Sequence, residues 1–159
     1  MTVTLGLTEI MVLSVFSTLS TRGQQELTMY QVCDSSGSVD GVTITPCRQE
    51  PCELYKGTKT TVMITGSFAG CKANSTRGKA SVEIADRVLA LPGVKAEFCG
   101  IDGDCPPMDD GIRSALVTVP ILTVYPNITT NVTLSVSCGK SQVQACVKAV
   151  FVITVEPSE

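Results

Sequence analysis

Histidine is missing from all 159 residues. Its absence removes the Ser-His-Asp and Cys-His arrangements, the commonest zinc ligand and the commonest general base. Tryptophan is missing too, and Phe and Tyr make up only 4% of the chain, so the interior is filled by something other than large rings. Charged residues are scarce, at 17%, and their balance is slightly acidic, with a net charge of −3 and a pI of about 5.0. No clustered basic face stands out, which argues against nucleic acid as a partner and against adsorption to anionic membranes through a basic patch. The longest leading apolar run, Ile10 to Leu19, is too short to span a bilayer. Internal repeats, low-complexity tracts and linkers are absent, so one domain is expected.

Apolar residues are abundant, at 43%, and mean hydropathy is +0.27, which excludes a charge-rich disordered tail. Eight cysteines stand at positions 33, 47, 52, 71, 99, 105, 138 and 146. In so short a chain they point to an oxidising compartment and a disulfide frame. The close pairs, Cys47/Cys52 and Cys99/Cys105, are wider than a C-x-x-C knuckle, so no metal site and no cofactor is expected. The aspartates Asp102, Asp104, Asp109 and Asp110 lack an EF-hand pattern and read as solvated loop acids. The Ile10–Leu19 run followed by small residues reads as a secretory signal peptide over 1–23, with the mature domain over 24–159. Three N-x-S/T sequons, at Asn74, Asn127 and Asn131, fit the same secretory picture.

Past the leader, period-two alternation dominates. Strands are expected over Leu27–Cys33, around Val42 and Ile44, over Thr60–Phe68, from Ala80 to Ile84, from Ile112 to Val119, from Ile128 to Val136 and from Cys146 to Val155. Val62, Ile64 and Phe68 share one face of their strand. Thr130, Val132, Leu134 and Val136 share one face of theirs with Ile128, as do Val147, Ala149, Phe151 and Ile153. Gly70–Gly78 reads as a turn, and Leu91–Gly111, rich in Gly and Pro, as one long loop. No segment carries a helical stripe. About seven short Val-, Ile- and Thr-rich strands fit an all-β, immunoglobulin-like two-sheet sandwich.

Three blocks carry a resemblance: C-D-S-S-G-S-V-D-G (Cys33–Gly41), T-P-C-R-Q-E-P-C-E-L-Y-K-G (Thr45–Gly57), and C-G-I-D-G-D-C-P (Cys99–Pro106) followed by V-P-I-L-T-V-Y-P (Val119–Pro126) and Cys146. Together the chain resembles the ML lipid-recognition family, and within it the soluble Niemann-Pick type C sterol carriers. The resemblance spans roughly Leu27 to Glu156. It implies a sandwich whose sheets part at one end over a hydrophobic tunnel, and the disulfides Cys33–Cys146, Cys47–Cys52 and Cys99–Cys105. Cys71 and Cys138 have no counterpart in the sterol carriers; both sit at strand ends and are expected to form a fourth bridge. G-S-V-D-G is taken as a turn, as is Lys56-Gly57.

Position by position, the resemblance implies Tyr125 at the tunnel mouth, Ile121 in its wall, and Pro120 and Pro126 framing them. Leu91 stands where the sterol carriers have phenylalanine and Leu134 where they have tryptophan, so a wider or reshaped cavity is expected. Val62, Ile64, Phe68, Val82, Ile84, Val132, Phe151 and Ile153 are candidates for the deeper wall on alternation alone; the ordinary reading of such residues is plain core. The function implied is a non-enzymatic lipid carrier. It would hold a sterol or similar lipid, exchange it with donor and acceptor membranes or a membrane sterol transporter, and act as a secreted or lysosomal monomer. The competing reading is an innate-immunity module that recognises microbial lipids or fatty acids. A hydrolase lacks histidine and a nucleophile elbow, and a structural protein with a dry core is the remaining alternative.

Overall fold

The computed structural model describes residues 23–68, 76–98, 113–139 and 142–156. Among them, eleven strands run in chain order: β1 (Gln25–Glu26), β2 (Tyr30–Val32), β3 (Ser38–Thr45), β4 (Cys52–Tyr55), β5 (Lys59–Ser67), β6 (Thr76–Ile84), β7 (Arg87–Leu91), β8 (Lys95–Glu97), β9 (Arg113–Pro120), β10 (Ile128–Cys138) and β11 (Gln142–Thr154). They form two sheets. One is ordered β1-β3-β5-β9-β8; the other is ordered β2-β11-β10-β6-β7, with β4 also paired to β11. All pairings are antiparallel except β4 with β11, which is parallel over Cys52–Tyr55 and Phe151–Thr154.

The alternation in the sequence is the reason for the layers. On β5, Thr60, Val62 and Ile64 point inward while Thr61, Met63 and Thr65 are half-buried on the other face. On β10 the inward set is Thr130, Val132, Leu134 and Val136. On β11 it is Val147, Ala149, Phe151 and Ile153. Each such Val, Leu, Ile or Phe contributes roughly 1.5–3 kcal/mol when taken out of water. β11 breaks the alternation once: Val136 pairs Ala145 and Ser137 pairs Val143, leaving Gln144 as the extra residue of a bulge. Most edge strands are short, two residues in β1 and three each in β2 and β8, which limits pairing with another chain.

The structure corrects several local expectations. Leu27–Cys33 is not one strand; only Tyr30–Val32 of it is strand (β2), β1 ends before it, and the two join different sheets. G-S-V-D-G is not a turn; from Ser38 on it is the start of β3. There Val39 pairs Gly66 and Gly41 pairs Thr65, so the extra residue Asp40 makes a bulge. The expected turn over 70–78 ends earlier, because Thr76–Gly78 already belong to β6. The supposed loop after Leu91 carries strand β8, and Leu91 itself ends β7. β6 and β7 are joined by Ala85 and Asp86, both at positive φ (47° and 62°), the geometry of a two-residue hairpin turn. Lys56 and Gly57 do form a turn, with Gly57 at φ +81°.

Cys33 is bonded to Cys146 across 113 residues, with Cα atoms 5.0 Å apart, and Cys47 to Cys52, with Cα atoms 5.2 Å apart. The first ties the segment after β2 to β11 within one sheet. The second bridges the connection from β3 in one sheet to β4 in the other. Cys138, at the end of β10, is also disulfide-bonded. Cys71, Cys99, Cys105 and Asn74, like the expected signal peptide up to residue 22, lie outside the described residues.

Candidate functional site

Several connections cross between the sheets at one end of the sandwich, among them 46–51 from β3 to β4, 56–58 from β4 to β5, and 121–127 from β9 to β10. Backbone bonds tie 56–58 to 121–127 and hold 121–127 in its turn. Gly57 N donates to Ile121 O at 2.6 Å, Ile121 N donates to Thr58 O at 2.9 Å, and Tyr125 N donates to Leu122 O at 3.2 Å. Gly93, at φ +76°, turns the chain from β7 toward β8 against this end; a Cβ there would stand 3.0 Å from Pro120 Cγ.

Inside this end lies a pocket between the sheets. It is lined by Ile44, Leu54, Thr60, Val62, Leu91, Val119, Ile121, Val132, Leu134, Phe151 and Ile153. Ten of these eleven side chains are hydrocarbon; Thr60 is the exception. The space they leave is about 10 Å³, close to the room one water molecule needs. Larger concavities lie on the outer surface. One of about 450 Å³, bordered by Met29, Tyr30, Gln31, Asn131, Lys148 and Val150, sits outside β2, β10 and β11 and is open to solvent.

The residues singled out from the sequence distribute unevenly around this pocket. Ile121, Leu91, Leu134 and Val62 line it, as do Val132, Phe151 and Ile153. Pro120 ends β9 beside it. Tyr125 packs against the core from the crossing connection, and burial raises its phenol above the usual tyrosine range. Tyr125, Pro120, Ile64, Phe68, Val82 and Ile84 are not among the lining residues. Phe68 instead packs against Phe98, with ring centroids 5.4 Å apart. Sequence reasoning missed Ile44, Leu54, Thr60 and Val119. Of these, Thr60 was readable, since it shares parity with Val62 and Ile64.

Among the described residues, two buried side-chain atoms are without a hydrogen-bond partner: Thr60 Oγ1 and Tyr125 Oη. Both belong to this end of the sandwich. The loop carrying Tyr125 also exposes apolar side chains, Val124 at 82% and Leu122 at 37%.

On the outer face of the other sheet, Lys148 Nζ and Asn131 Nδ2 donate to the Glu83 carboxylate at 2.7 and 3.1 Å. These bonds, that from Lys148 first, hold the Glu83 carboxyl below its usual range. The pair is solvent-facing and adds little stability. It does bear on the sequons. Asn127 is exposed ahead of β10, whereas Asn131 is half-buried within β10 with its amide engaged.

Fold and site together define an all-β, immunoglobulin-like sandwich with an apolar pocket between its sheets at the end where connections cross. Residues 28–153 match the ML domain, and the chain belongs to that family. Among curated relatives, it is 29% identical over 116 residues to "NPC intracellular cholesterol transporter 2" of Danio rerio, covering 70% of this chain and 77% of that protein. To the protein of the same name from Mus musculus it is 30% identical over 106 residues, covering 66% and 70%. The crystal structure of a Niemann-Pick type C2 protein from Japanese carpenter ant shares the fold. Its TM-score is 0.62 at 20% identity, over 79% of this chain and 98% of that one.

Proposed function

We propose that this chain is a lipid carrier that takes a sterol or sterol-like lipid between its sheets and exchanges it with membranes. The observation that carries the reading is the pocket: ten hydrocarbon side chains and a single hydroxyl, enclosed between two sheets at the end where connections cross. Apolar ligands are held by such concave surfaces with few polar anchors. The names of the curated relatives point the same way. A site for a molecule of this size needs roughly 300 Å³ or more, against the 10 Å³ present. The ligand therefore wedges the sheets apart. The lining is suited to this, since Val, Ile and Leu slide past one another without breaking hydrogen bonds. A sterol of about 28 heavy atoms at roughly 0.3 kcal/mol per atom has about 8 kcal/mol available, a micromolar Kd or better after the opening cost is met.

The exposed Val124 and Leu122 beside the pocket fit a tip that touches the bilayer during exchange. The reading includes a secreted or lysosomal residence, glycosylation at the exposed Asn127 and a monomeric state. The test is saturable binding of a fluorescent sterol to the oxidised protein, with cholesterol and fatty acids as competitors. The expected result is displacement by cholesterol. Displacement by fatty acids alone moves the cargo to acyl lipids, which is the immune-recognition alternative, and no binding overturns the reading. Val124→Asp is expected to slow sterol transfer between vesicles about tenfold, since a charge at the tip opposes insertion by some 1–2 kcal/mol. Equilibrium sterol binding stays unchanged. An unchanged transfer rate would show that this loop does not touch the bilayer.

A further inference from the structure

Thr60 departs from its surroundings in a way that core packing does not explain. It is 2% exposed, and its Oγ1 has no hydrogen-bond partner among the described residues. A buried hydroxyl left unpaired is destabilising and uncommon in folded proteins. Valine would fill the same place with the same shape. Thr60 also lies on β5 between the turn at 56–58 and Val62, opposite Val119, and its side chain is in the pocket wall. The unpaired oxygen thus belongs to the pocket the ligand would enter.

Resting on the lipid-carrier reading, we propose that Thr60 is the specificity-determining polar anchor of the pocket, and that it selects lipids bearing a neutral hydroxyl. The hydroxyl type follows from the bonding inventory. A threonine Oγ1 both donates and accepts, so it pairs with another hydroxyl in either sense. The neutral charge follows from the other ten lining side chains, all Ile, Leu, Val or Phe. None supplies a cation, so a carboxylate brought to Thr60 would be buried without a counter-charge, at high cost. The polar end of the lipid lies at Thr60, toward the crossing connections, and its hydrocarbon body runs along Val62, Val132 and Phe151.

The test compares cholesterol with the parent hydrocarbon lacking its hydroxyl, each competing against a fluorescent sterol. It uses the wild-type chain, Thr60→Val and Thr60→Ser. The wild type is expected to prefer the hydroxylated lipid about tenfold, the worth of one buried hydrogen bond. Thr60→Val abolishes that preference while still binding both lipids, and Thr60→Ser retains it. Thr60→Val is expected to fold well, with a melting temperature a few degrees above wild type, because an unpaired hydroxyl has been replaced by a methyl of similar shape. A preference that survives Thr60→Val overturns this inference alone. Failure of the wild type to bind either lipid overturns the carrier reading with it.

Discussion

Replacing Cys33 and Cys146 by serine is expected to lower the stability of the fold by about 4–5 kcal/mol, read as a fall in the denaturant midpoint. The bond closes a loop of 113 residues, so it removes more freedom from the unfolded chain than a short bridge does. By the same reasoning the Cys47–Cys52 bridge, with a separation of 5, contributes roughly 2 kcal/mol. A domain of this size has about 5–15 kcal/mol in total, so loss of the long bridge takes a large share. The bond also has a local task. Cys33 N donates to Cys146 O, Ser36 N to Val143 O and Gly37 N to Gln144 O, so the bridge holds the segment after β2 along β11 where the Gln144 bulge bends it. A double variant as stable as wild type would place the stability elsewhere, in the packing between sheets.

Leu134→Ala is the second large effect, and it has two signs. Leu134 is 2% exposed, lies on the central strand β10 opposite Ala80 and Val147, and faces the pocket. Without ligand, truncation removes buried methyl groups and leaves a void, costing about 2–5 kcal/mol. With ligand, the void is space that the sheets would otherwise have to open. Part of the loss is therefore recovered on binding, and affinity rises about tenfold for each 1.4 kcal/mol recovered. Thermal melts with and without sterol measure both parts: the variant melts lower alone, and sterol raises its melting temperature by more than it raises that of wild type. A ligand-induced shift equal to or smaller than that of wild type would mean that the lipid does not occupy the space beside Leu134.

Much of the sandwich was legible because alternation is a direct record of which side faces the core. β5, β9, β10 and β11 lie close to where the alternation predicts them, within a few residues at each end. β7 and β8 were not legible. R-V-L-A-L leaves four of its five residues exposed on an edge, and K-A-E is too short to alternate, so Pro92 and Gly93 dominated the reading. G-S-V-D-G looked like a turn because Gly and Asp favour turns. The glycine there serves close approach instead: a Cβ on Gly41 would stand 3.0 Å from Thr65 Oγ1 on the neighbouring strand.

The site was legible in outline only, because alternation reports the face of a strand and not the depth along it. Val62, Ile64 and Phe68 were equivalent on paper. In the fold Val62 reaches the pocket, while Phe68 lies beyond Gly66 and packs on Phe98. Leu54 comes from a four-residue parallel strand that only tertiary pairing with β11 creates. Thr60 was passed over because threonine is usually a surface residue. That its hydroxyl meets no partner among the described residues is a fact of three-dimensional surroundings with no signature in the sequence.

The central claim is that the lipid lies between the sheets, and photolabelling with a diazirine sterol, followed by peptide mapping, tests it most directly. The account predicts saturable labelling, competed by cholesterol, on peptides carrying Leu54 to Val62, Val119 to Tyr125, Leu134 and Phe151 to Ile153. Labelling confined to the outer groove of Tyr30, Lys148 and Val150, or labelling that cholesterol does not compete, would contradict it.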